Sequence, residues 1–420
     1  MSNVSFETAY HELLTWCRER DYAGHDPFDA LNSKLFQSSP FSTSRTARFI
    51  WTQLVKRSPV DLRPVSRVPS ERNPKGVALF ALALLAEYRR TKNPDTAKSV
   101  RQLLDDLLVL QVKGFSGAAW GYNFDWQSRH FFAPRGTPTI VPTAFAARAF
   151  IEAARDLKDE KYLNVARSVC EFILNDLPRS VESETEVCFS YSPEDRTQIF
   201  NASLLAAEVL AEVGMGRNET ELLCVAEKAA SFVVKHQNSD GSWSYGTAAN
   251  QGWIDNFHTA YVLYSLHRII KARFSFECGA LSPLLVDRNS VSAAVTKRRQ
   301  GAALQRGLDD SFSDALKRGY NYWKTGFFLA DGWPKYYHDD PYPADAHAGA
   351  SGIITFHELR EIDEDAVRLA QRVAGWTIEN LRSREGFFYY QKRRFYTVKK
   401  PYMRWSQAWM LYALARMLEN

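Results

Sequence analysis

The stretch VPTAFAARAFIEAA at residues 141–154, the link RDLKD at 155–159 and the stretch EKYLNVARSVCEFIL at 160–174 decide the fold. The first stretch is small or apolar on almost every side, which is typical of a helix that is buried all round. The second carries its charged residues on one face, which is typical of a half-exposed helix. Because the link between them is so short, the two stretches predict an antiparallel helical hairpin.

The same two kinds of helix alternate along the chain, and strand signals are nearly absent. Taking residues 44–56 as the first outer helix gives six outer–inner pairs, spaced by about 50–65 residues. The predicted outer helices are 44–56, 96–110, 160–174, 219–235, 311–324 and 365–380. The predicted inner helices are 74–88, 141–154, 199–213, 256–270, 347–359 and 402–418.

Two concentric rings of helices explain this alternation, so the sequence predicts an all-α (α/α)6 toroid. A chain of 420 residues is long for one domain, but a closed repeat architecture extends one continuous core with each added hairpin. We therefore expect a single domain over residues 1–420. The longest interval between hairpins contains a predicted loop insertion at about 274–307, which includes the basic cluster at 297–299.

The links between helices differ in length according to their direction. Links from an outer to an inner helix are long and rich in polar, aromatic and glycine residues, whereas return links such as 156–159 and 362–364 are short. The long links are 114–138, 178–196, 238–255, 330–345 and 383–401. All of them should open at one end of the ring, so a polar mouth carried on a rigid scaffold is expected there.

The composition is that of an ordinary globular protein, with 45% hydrophobic, 24% charged and 13% aromatic residues. The net charge of +5 is mild for this size; it permits an anionic ligand, and without a basic arm we expect no nucleic-acid partner. The five cysteines are far apart and form no CxxC motif, which favours reduced thiols over a metal site. We expect no metal and no cofactor.

The N-terminal sequence MSNVSFETAYHELLTW shows no basic region followed by an apolar stretch, so no signal peptide is predicted. The longest apolar run, residues 77–86, is about half of the roughly 20 residues that cross a bilayer. These features lead us to expect a cytoplasmic protein without a transmembrane segment.

The motif HQNSDGSW at 236–243 resembles the QxxDGSW turn of terpene-cyclase and prenyltransferase toroids. Its Asp-Gly pair makes a turn, and its glutamine and tryptophan are expected to tie one hairpin to the next. The motif concerns architecture more than chemistry.

A resemblance over most of the chain rests on motifs in a fixed order: YAGHDPFDALNS (22–33), KRSP (56–59), NPKG (73–76), WGYNFDW (120–126), YY (336–337), YPAD (342–345) and PYMRWSQ (401–407). Together they resemble the VpsJ-like bacterial proteins of exopolysaccharide and lipopolysaccharide biosynthesis, which belong to the six-hairpin superfamily. This resemblance implies an (α/α)6 toroid and a role in surface-polysaccharide production. It implies no settled reaction and no catalytic residues. Neighbouring six-hairpin families include glycosidases, polysaccharide lyases and sugar epimerases.

Polar residues at the starts of inner helices are the candidates for chemistry, because those positions border the mouth. Asp255 and His258 lie three residues apart at the start of one inner helix, so a carboxylate–imidazole pair is expected on one helix face. Asp345 and His347 place a second carboxylate and imidazole at the start of the next inner helix. Asp125 in a link completes the candidate catalytic set. Helix capping by Asp255 and Asp345, and a core position for His258, are the structural alternatives.

A second group of residues is expected to contact the substrate. Aromatic rings could stack on a sugar, amides and carboxylates could hold hydroxyl groups, and an arginine could bind a uronate or phosphate unless a rim aspartate pairs with it. The candidates are Trp126, Arg129, Asp195, Asn201, Trp253, Tyr337, Arg404 and Trp405.

These residues leave several functions open. A glycoside hydrolase needs two carboxylates across a cleft, about 5–5.5 Å apart for retention or about 6.5–9.5 Å for inversion. A lyase or epimerase needs a base and a proton donor, with an arginine to neutralise a uronate. A non-catalytic toroid would bind glycan or a partner in an assembly complex. A prenyltransferase-like enzyme is remote, because its zinc would need a thiolate near an aspartate.

The expected partners follow from these alternatives. An oligosaccharide or polysaccharide, acidic or lipid-linked, is the expected ligand, together with other polysaccharide-assembly proteins.

Overall fold

The computed structural model describes residues 5–127, 132–280 and 310–419. Six helices form an inner ring in which each packs on the next and the last packs on the first, so the ring is closed. They are α5 (Pro74–Thr91), α7 (Ile140–Leu157), α9 (Phe200–Arg217), α11 (Asn256–Ala280), α13 (Ala346–Glu358) and α15 (Trp409–Met417), the last preceded by a π-helical turn (Met403–Ala408). The predicted inner helices are confirmed to within a few residues, apart from the long α11.

Half-exposed helices pack outside this ring, each bearing charged residues on its outer face, and the (α/α)6 toroid is confirmed. The outer helices are α1 (Phe6–Arg18), α6 (Pro94–Val109), α8 (Glu160–Asn175), α10 (Thr220–Lys235), α12 (residues 310–327) and α14 (Ala366–Leu381). None of these described helices, inner or outer, is long and apolar enough to cross a membrane.

The prediction that residues 44–56 form the first outer helix was wrong. The stretch is helical, as α3 (Arg45–Arg57), but it packs on the links rather than on the inner ring. The outer position belongs to α1, whose apolar face buries Leu13 and Leu14 against α15 and α14. Both helices are amphipathic, so only tertiary packing distinguishes them.

The long links all lie at one end of the ring, as predicted, because every outer helix runs towards that end and every inner helix runs away from it. Short strands brace these links: β1 (Trp126–Gln127) with β2 (Phe132–Ala133), β3 (Arg179–Glu182) with β4 (Val187–Phe189), and β5 (Ala344–Asp345), β6 (Gln391–Lys392) and β7 (Thr397–Val398) in order. The link between α1 and α5 is the longest described. It contains α2 (Lys34–Gln37), α3, α4 (Arg63–Ser66) and two short 3-10 turns, Asp29–Asn32 and Pro40–Thr43.

The predicted insertion at 274–307 begins later than expected. Helix α11 continues to Ala280, so residues 274–280 are helical rather than loop. The rest of the predicted insertion, with its basic cluster at 297–299, lies outside the described residues.

The QxxDGSW turn ties two hairpins together, as predicted. Gln237 donates from Nε2 to the carbonyl oxygen of Ala315 in α12 at 2.9 Å, and Trp243 Nε1 donates to Val233 O at 2.9 Å. Gly241 has φ +92°, and a Cβ there would lie 2.7 Å from the carbonyl oxygen of Arg318. Only glycine fits this turn without strain.

A chain of buried and partly buried ion pairs joins all six inner helices towards the ends opposite the mouth. Arg89 of α5 pairs with Glu152 of α7 at 2.9 Å, and Arg148 of α7 pairs with Glu208 of α9 at 2.7 Å. Arg268 of α11 pairs with Glu212 of α9 at 3.2 Å and with Glu358 of α13 at 2.9 Å. Arg416 of α15 pairs with Glu358 at 3.1 Å, and Glu419 after α15 pairs with Arg89 of α5. Each inner helix is thereby connected to its neighbour by opposite charges. The sequence analysis did not predict this chain.

The arginines control the ionisation of the carboxyls in this chain. Burial alone would raise the pKa of Glu152, but Arg89 and Arg268 lower it to about 2. Glu212 behaves oppositely: burial is its largest influence, neighbouring carboxylates add to it, and its pKa rises to about 7. Glu212 is therefore the member of the chain that is least stabilised in its charged form.

Removing Arg268 should leave Glu212 without its arginine and Glu358 with Arg416 alone. We expect Arg268→Met to reduce the free energy of unfolding by about 3–5 kcal/mol, since a broken buried pair leaves an uncompensated charge. Lys271→Met is the matched control, one turn later on α11: Lys271 pairs with Glu361, and both side chains are more than half exposed. The control should cost less than about 1 kcal/mol. If urea unfolding shows that both variants lose the same free energy of unfolding, the ion pairs of Arg268 contribute no more to stability than an exposed pair.

The raised pKa of Glu212 predicts a pH-dependent gain in stability on its replacement. The protonated form is favoured in the folded chain, so this carboxyl stabilises the fold below its ordinary pKa and loses that contribution as the pH rises through about 7. Glu212→Gln, which stays neutral, should raise the melting temperature by about 2–4 °C at pH 8.5 and hardly change it at pH 5. A lower melting temperature at pH 8.5 would contradict this assignment.

Candidate functional site

The mouth is bordered by the N-termini of the inner helices and covered in part by the link between α1 and α5. Phe28 of this link packs edge-on against Trp405 with ring centroids 5.7 Å apart. Lys56 reaches inwards from α3 and places its ammonium nitrogen 4.0 Å from the centroid of the Phe28 ring. Burial lowers the pKa of Lys56 to about 8, although Asp345 and Asp26 oppose this shift. The covering link thus brings a cation into the mouth.

Asp255 and His258 form the predicted carboxylate–imidazole pair. Asp255 precedes α11 and caps it, since Oδ1 accepts from the backbone N–H of His258 at 3.0 Å. The other oxygen, Oδ2, lies 2.7 Å from His258 Nδ1 and also accepts from Trp253 Nε1 at 3.2 Å. Capping and pairing are therefore combined in one side chain. When the carboxylate is ionised and the imidazole is neutral, Nδ1 donates to Oδ2 and the ring keeps its lone pair on Nε2.

A recess beside this pair brings four of the predicted residues together: Asn201, Trp253, Asp255 and His258 all line it. The Tyr245 ring stacks on Trp253 at a centroid distance of 4.5 Å, and Trp253 is 40% exposed. The Oδ1 atom of the buried Asn201 has no hydrogen-bond partner within the described part of the chain. Asp255 is buried, whereas the His258 side chain is 24% exposed. The enclosed part of the recess has room for about one water molecule. At its opening it offers an aromatic surface and an accessible imidazole, with the amide oxygen of Asn201 deeper inside.

Asp345, the predicted counterpart at the next inner helix, is enclosed by donors. It caps α13 by accepting from the backbone N–H of His347 at 2.7 Å, and it accepts from Gln391 Nε2 at 2.6 Å and Trp405 Nε1 at 3.0 Å. Burial raises the pKa of Asp345 to about 6 against these hydrogen bonds. The residue is fully buried, so its carboxyl supports the mouth from behind and does not line the recess.

His347 lies deeper still, among aromatic rings. Its ring stacks between Phe257 at 4.6 Å and Trp409 at 4.5 Å, and its Nε2 atom lies 2.8 Å from the Tyr261 hydroxyl. Burial is the largest cause that lowers the pKa of His347 well below its usual value, followed by the positive charge of Lys75. A neutral His347 accepts from Tyr261, so the two residues form a buried hydrogen-bonded pair.

Lys75 extends this pair and was missed by the sequence analysis. Its Nζ atom donates to the Tyr261 hydroxyl at 3.0 Å and lies 4.4 Å from the centroid of Phe145. Burial lowers the pKa of this amine well below its usual value. The sequence does indicate that Lys75 is unusual, because it is the one charged residue between Pro74 and Ala86 in a stretch that is otherwise typical of a buried helix.

Arg404 binds a carboxylate of the chain itself. Its Nε and Nη2 atoms donate to the two oxygens of Asp26 at 2.6 and 2.9 Å, a fork in which both residues are buried. Arg63 supports the same loop by donating to Asp26 O at 2.7 Å and to Asp29 Oδ1 at 2.7 Å. Arg404 therefore pairs with an aspartate of the rim, which the sequence analysis gave as the alternative to binding a substrate. The sequence analysis did not identify Asp26 as that aspartate.

Two other predicted carboxylates close turns in the links. Asp125 accepts from the backbone N–H of Arg135 at 2.7 Å, across the hairpin of β1 and β2. Asp195 accepts from the backbone N–H of Tyr191 at 3.1 Å and from the Thr197 hydroxyl at 2.6 Å. Both carboxylates lie outside the recess that contains His258.

The remaining predicted contacts are spread around the mouth. Trp126 packs on Tyr191 with ring centroids 5.9 Å apart. Tyr337 is 39% exposed, and its backbone pairs with that of Asp255. Arg129 lies outside the described residues.

Comparisons with known proteins identify the architecture. No family model matches the chain, and no curated protein matches its sequence. Among solved structures, a cellobiose 2-epimerase from Bacillus thermoamylovorans has a TM-score of 0.57 at 12% identity, covering 84% of this chain and 90% of that one. A GH76 α-mannanase from Bacteroides thetaiotaomicron has a TM-score of 0.58 at 10% identity, with coverage of 84% and 88%.

A third similar structure spans almost the whole chain. An unsaturated glucuronyl hydrolase specific for heparin has a TM-score of 0.57 at 13% identity and covers 99% of this chain and 96% of that one. At such low identities the likeness concerns the backbone alone. The chain has the (α/α)6 toroid fold that these carbohydrate-active enzymes share.

Proposed function

We propose that this protein is a carbohydrate-active enzyme of the epimerase or lyase type, in which His258 moves a proton on a sugar held at the opening of the recess. The observation that carries the proposal is the 2.7 Å contact between Asp255 and His258, beside an exposed aromatic stack. The similar toroids named above include epimerases and hydrolases of sugars, which supports a sugar as the substrate.

The pair has the properties that proton transfer requires. An imidazole accepts and donates protons near neutral pH, and a carboxylate on Nδ1 fixes the ring orientation and stabilises the imidazolium that forms. Nε2 of His258 is then the atom that takes a proton from a sugar carbon next to a carbonyl or carboxylate. In an epimerase the proton returns to the opposite face of that carbon, and in a lyase the carbon–oxygen bond breaks and the departing glycosidic oxygen takes a proton. The Trp253 ring supports the sugar by stacking, and the free Oδ1 of Asn201 accepts from a hydroxyl.

Hydrolysis fits this geometry less well. Both glycosidase mechanisms need two carboxylates that face the bond to be cleaved. Asp255 lines the recess but already accepts from His258 and Trp253, while Asp345 is buried under three donors. Asp125 and Asp195 close turns. The four predicted aspartates therefore support the structure around the mouth, and an imidazole is the accessible acid–base group.

The wider role is part of the same proposal. The motifs that resemble the VpsJ-like proteins favour an acidic or lipid-linked intermediate of surface-polysaccharide production, handled in the cytoplasm by one domain that comprises the whole chain. A non-catalytic glycan-binding toroid is the second candidate, because Arg404 is neutralised by Asp26 and the mouth is partly covered.

Proton transfer can be tested without knowing the product. In D2O, the protein should introduce deuterium at a carbon of a responsive sugar from a panel of neutral and uronate-containing oligosaccharides, detected by NMR. His258→Gln and Asp255→Asn should each slow this exchange by roughly 10²–10⁴-fold. Asparagine is itself a good N-cap, so Asp255→Asn should leave the melting temperature nearly unchanged.

Asp125→Asn is the matched control, because Asp125 lies in the mouth links but outside the recess. Its exchange rate should stay near that of the original chain. New reducing ends without deuterium at carbon would indicate hydrolysis instead. Saturable glycan binding without exchange or cleavage would favour the binding module.

A further inference from the structure

The outer surface of the link that covers the mouth is unusually apolar. Between residues 35 and 65, six large hydrophobic side chains are at least 49% exposed: Leu35, Phe41, Ile50, Leu54, Val60 and Val65. Isolated exposed hydrophobic residues are ordinary, but a concentration of them in one short segment marks an interaction surface. We call residues 34–67 the cover segment.

The charge of the cover segment has one dominant sign. It contains seven lysines and arginines and a single acidic residue, Asp61; Arg63 is fully buried and Lys56 faces the mouth, so five of the seven can contribute to the outer surface. Lys34, Arg57 and Arg67 are exposed and form no ion pair within the part of the chain that the structure describes. This imbalance is local, because the whole chain carries only +5.

Helix α3 shows how the segment is built. One face directs the buried Thr52 and Val55 towards the links below. Ile50, Leu54 and Arg57 follow the spacing i, i+4 and i+7, so they lie together on the opposite face. Leu54 and Ile50 are 52% and 59% exposed. The folded protein thus holds a preformed apolar stripe with a basic end pointing away from the ring.

We propose that the cover segment is a docking surface for an anionic lipid membrane. Exposed apolar side chains interspersed with lysine and arginine are the combination that binds the membrane interface, where the first enter the headgroup region and the second pair with anionic lipids. A protein partner would favour a more continuous apolar patch with few charged residues at its centre. Charge complementarity therefore favours the lipid surface.

Docking in this way would bring the mouth to the membrane. The cover segment lies over the mouth and contributes Lys56 to it, so a bilayer that contacts Ile50 and Leu54 faces the same end of the ring as the His258 recess. The proposal is independent of the reaction at His258, because it rests only on the outer surface of the cover segment.

Vesicle sedimentation tests the proposal with the full chain. We expect the protein to sediment with vesicles of phosphatidylcholine and phosphatidylglycerol, to stay in solution with phosphatidylcholine alone, and to dissociate from the anionic vesicles as salt is raised. Equal binding to both kinds of vesicle, or to neither, would overturn it.

Two variants locate the contact. Ile50→Ser combined with Leu54→Ser should weaken binding to the anionic vesicles at least about tenfold. Lys34→Gln, Arg57→Gln and Arg67→Gln together should weaken it by roughly a hundredfold, at about fivefold per charge. Because all five side chains are exposed, circular dichroism and the melting temperature should be unchanged.

Ile362→Ser is the matched control, since Ile362 is 40% exposed in a return link at the opposite end of the ring. It should bind vesicles like the original chain. If the control weakens binding as much as the Ile50 and Leu54 changes do, the cover segment is not the docking surface. If those changes dissociate a dimer and leave vesicle binding intact, the surface is a contact between copies and the proposal fails.

Discussion

The closed chain of ion pairs among the inner helices is the constraint on which the rest of the structure depends. The inner helices are buried on nearly all sides, so apolar packing alone would hold them together without fixing their order or their relative heights. Buried charges are more demanding, because each must meet its partner or incur a large desolvation cost. Arg268 meets Glu212 and Glu358 on the two neighbouring inner helices, and Arg89 meets both Glu152 on α7 and Glu419 after α15, which requires that the ring closes. We infer that the chain of ion pairs selects one closed arrangement of the six inner helices.

That arrangement determines where chemistry can occur. With the charged chain at one end, all six inner helices present their N-termini at the other, and the free N–H groups there need acceptors. Asp255 and Asp345 supply them, and the same carboxylates then organise His258 and Trp405. Capping by Asp255 is compatible with the role proposed for it, because Oδ1 makes the capping contact and Oδ2 makes the contact with His258. The two aspartates differ in the exposure of their partners. Asp255 contacts the partly exposed imidazole of His258, whereas the donors to Asp345 are buried.

The cover segment joins the mouth to the protein surface. Its inner side contributes Lys56 to the mouth, where the ammonium lies over the Phe28 ring, and Asp26 in the preceding part of the same link neutralises Arg404. Its outer side exposes hydrophobic and basic residues. A single link therefore shapes the site from within and presents a distinct surface outside, which makes it the element through which an external contact would reach the site.

The sequence by itself determined the repeated part of this protein: the alternation of buried and half-exposed helices, the toroid, the end at which the long links gather, and the grouping of Asp255 with His258 three residues later. These follow from helical periodicity and short-range spacing, which are local properties. The tertiary structure decided everything that depends on partners far apart in the chain. It assigned the outer position to α1 rather than α3, paired Arg404 with Asp26, connected Lys75 to His347 through Tyr261, and brought Asn201 to the recess of His258. The physical reason is that an amphipathic pattern specifies that a face is buried, whereas the neighbour that buries it is specified only when the ring closes.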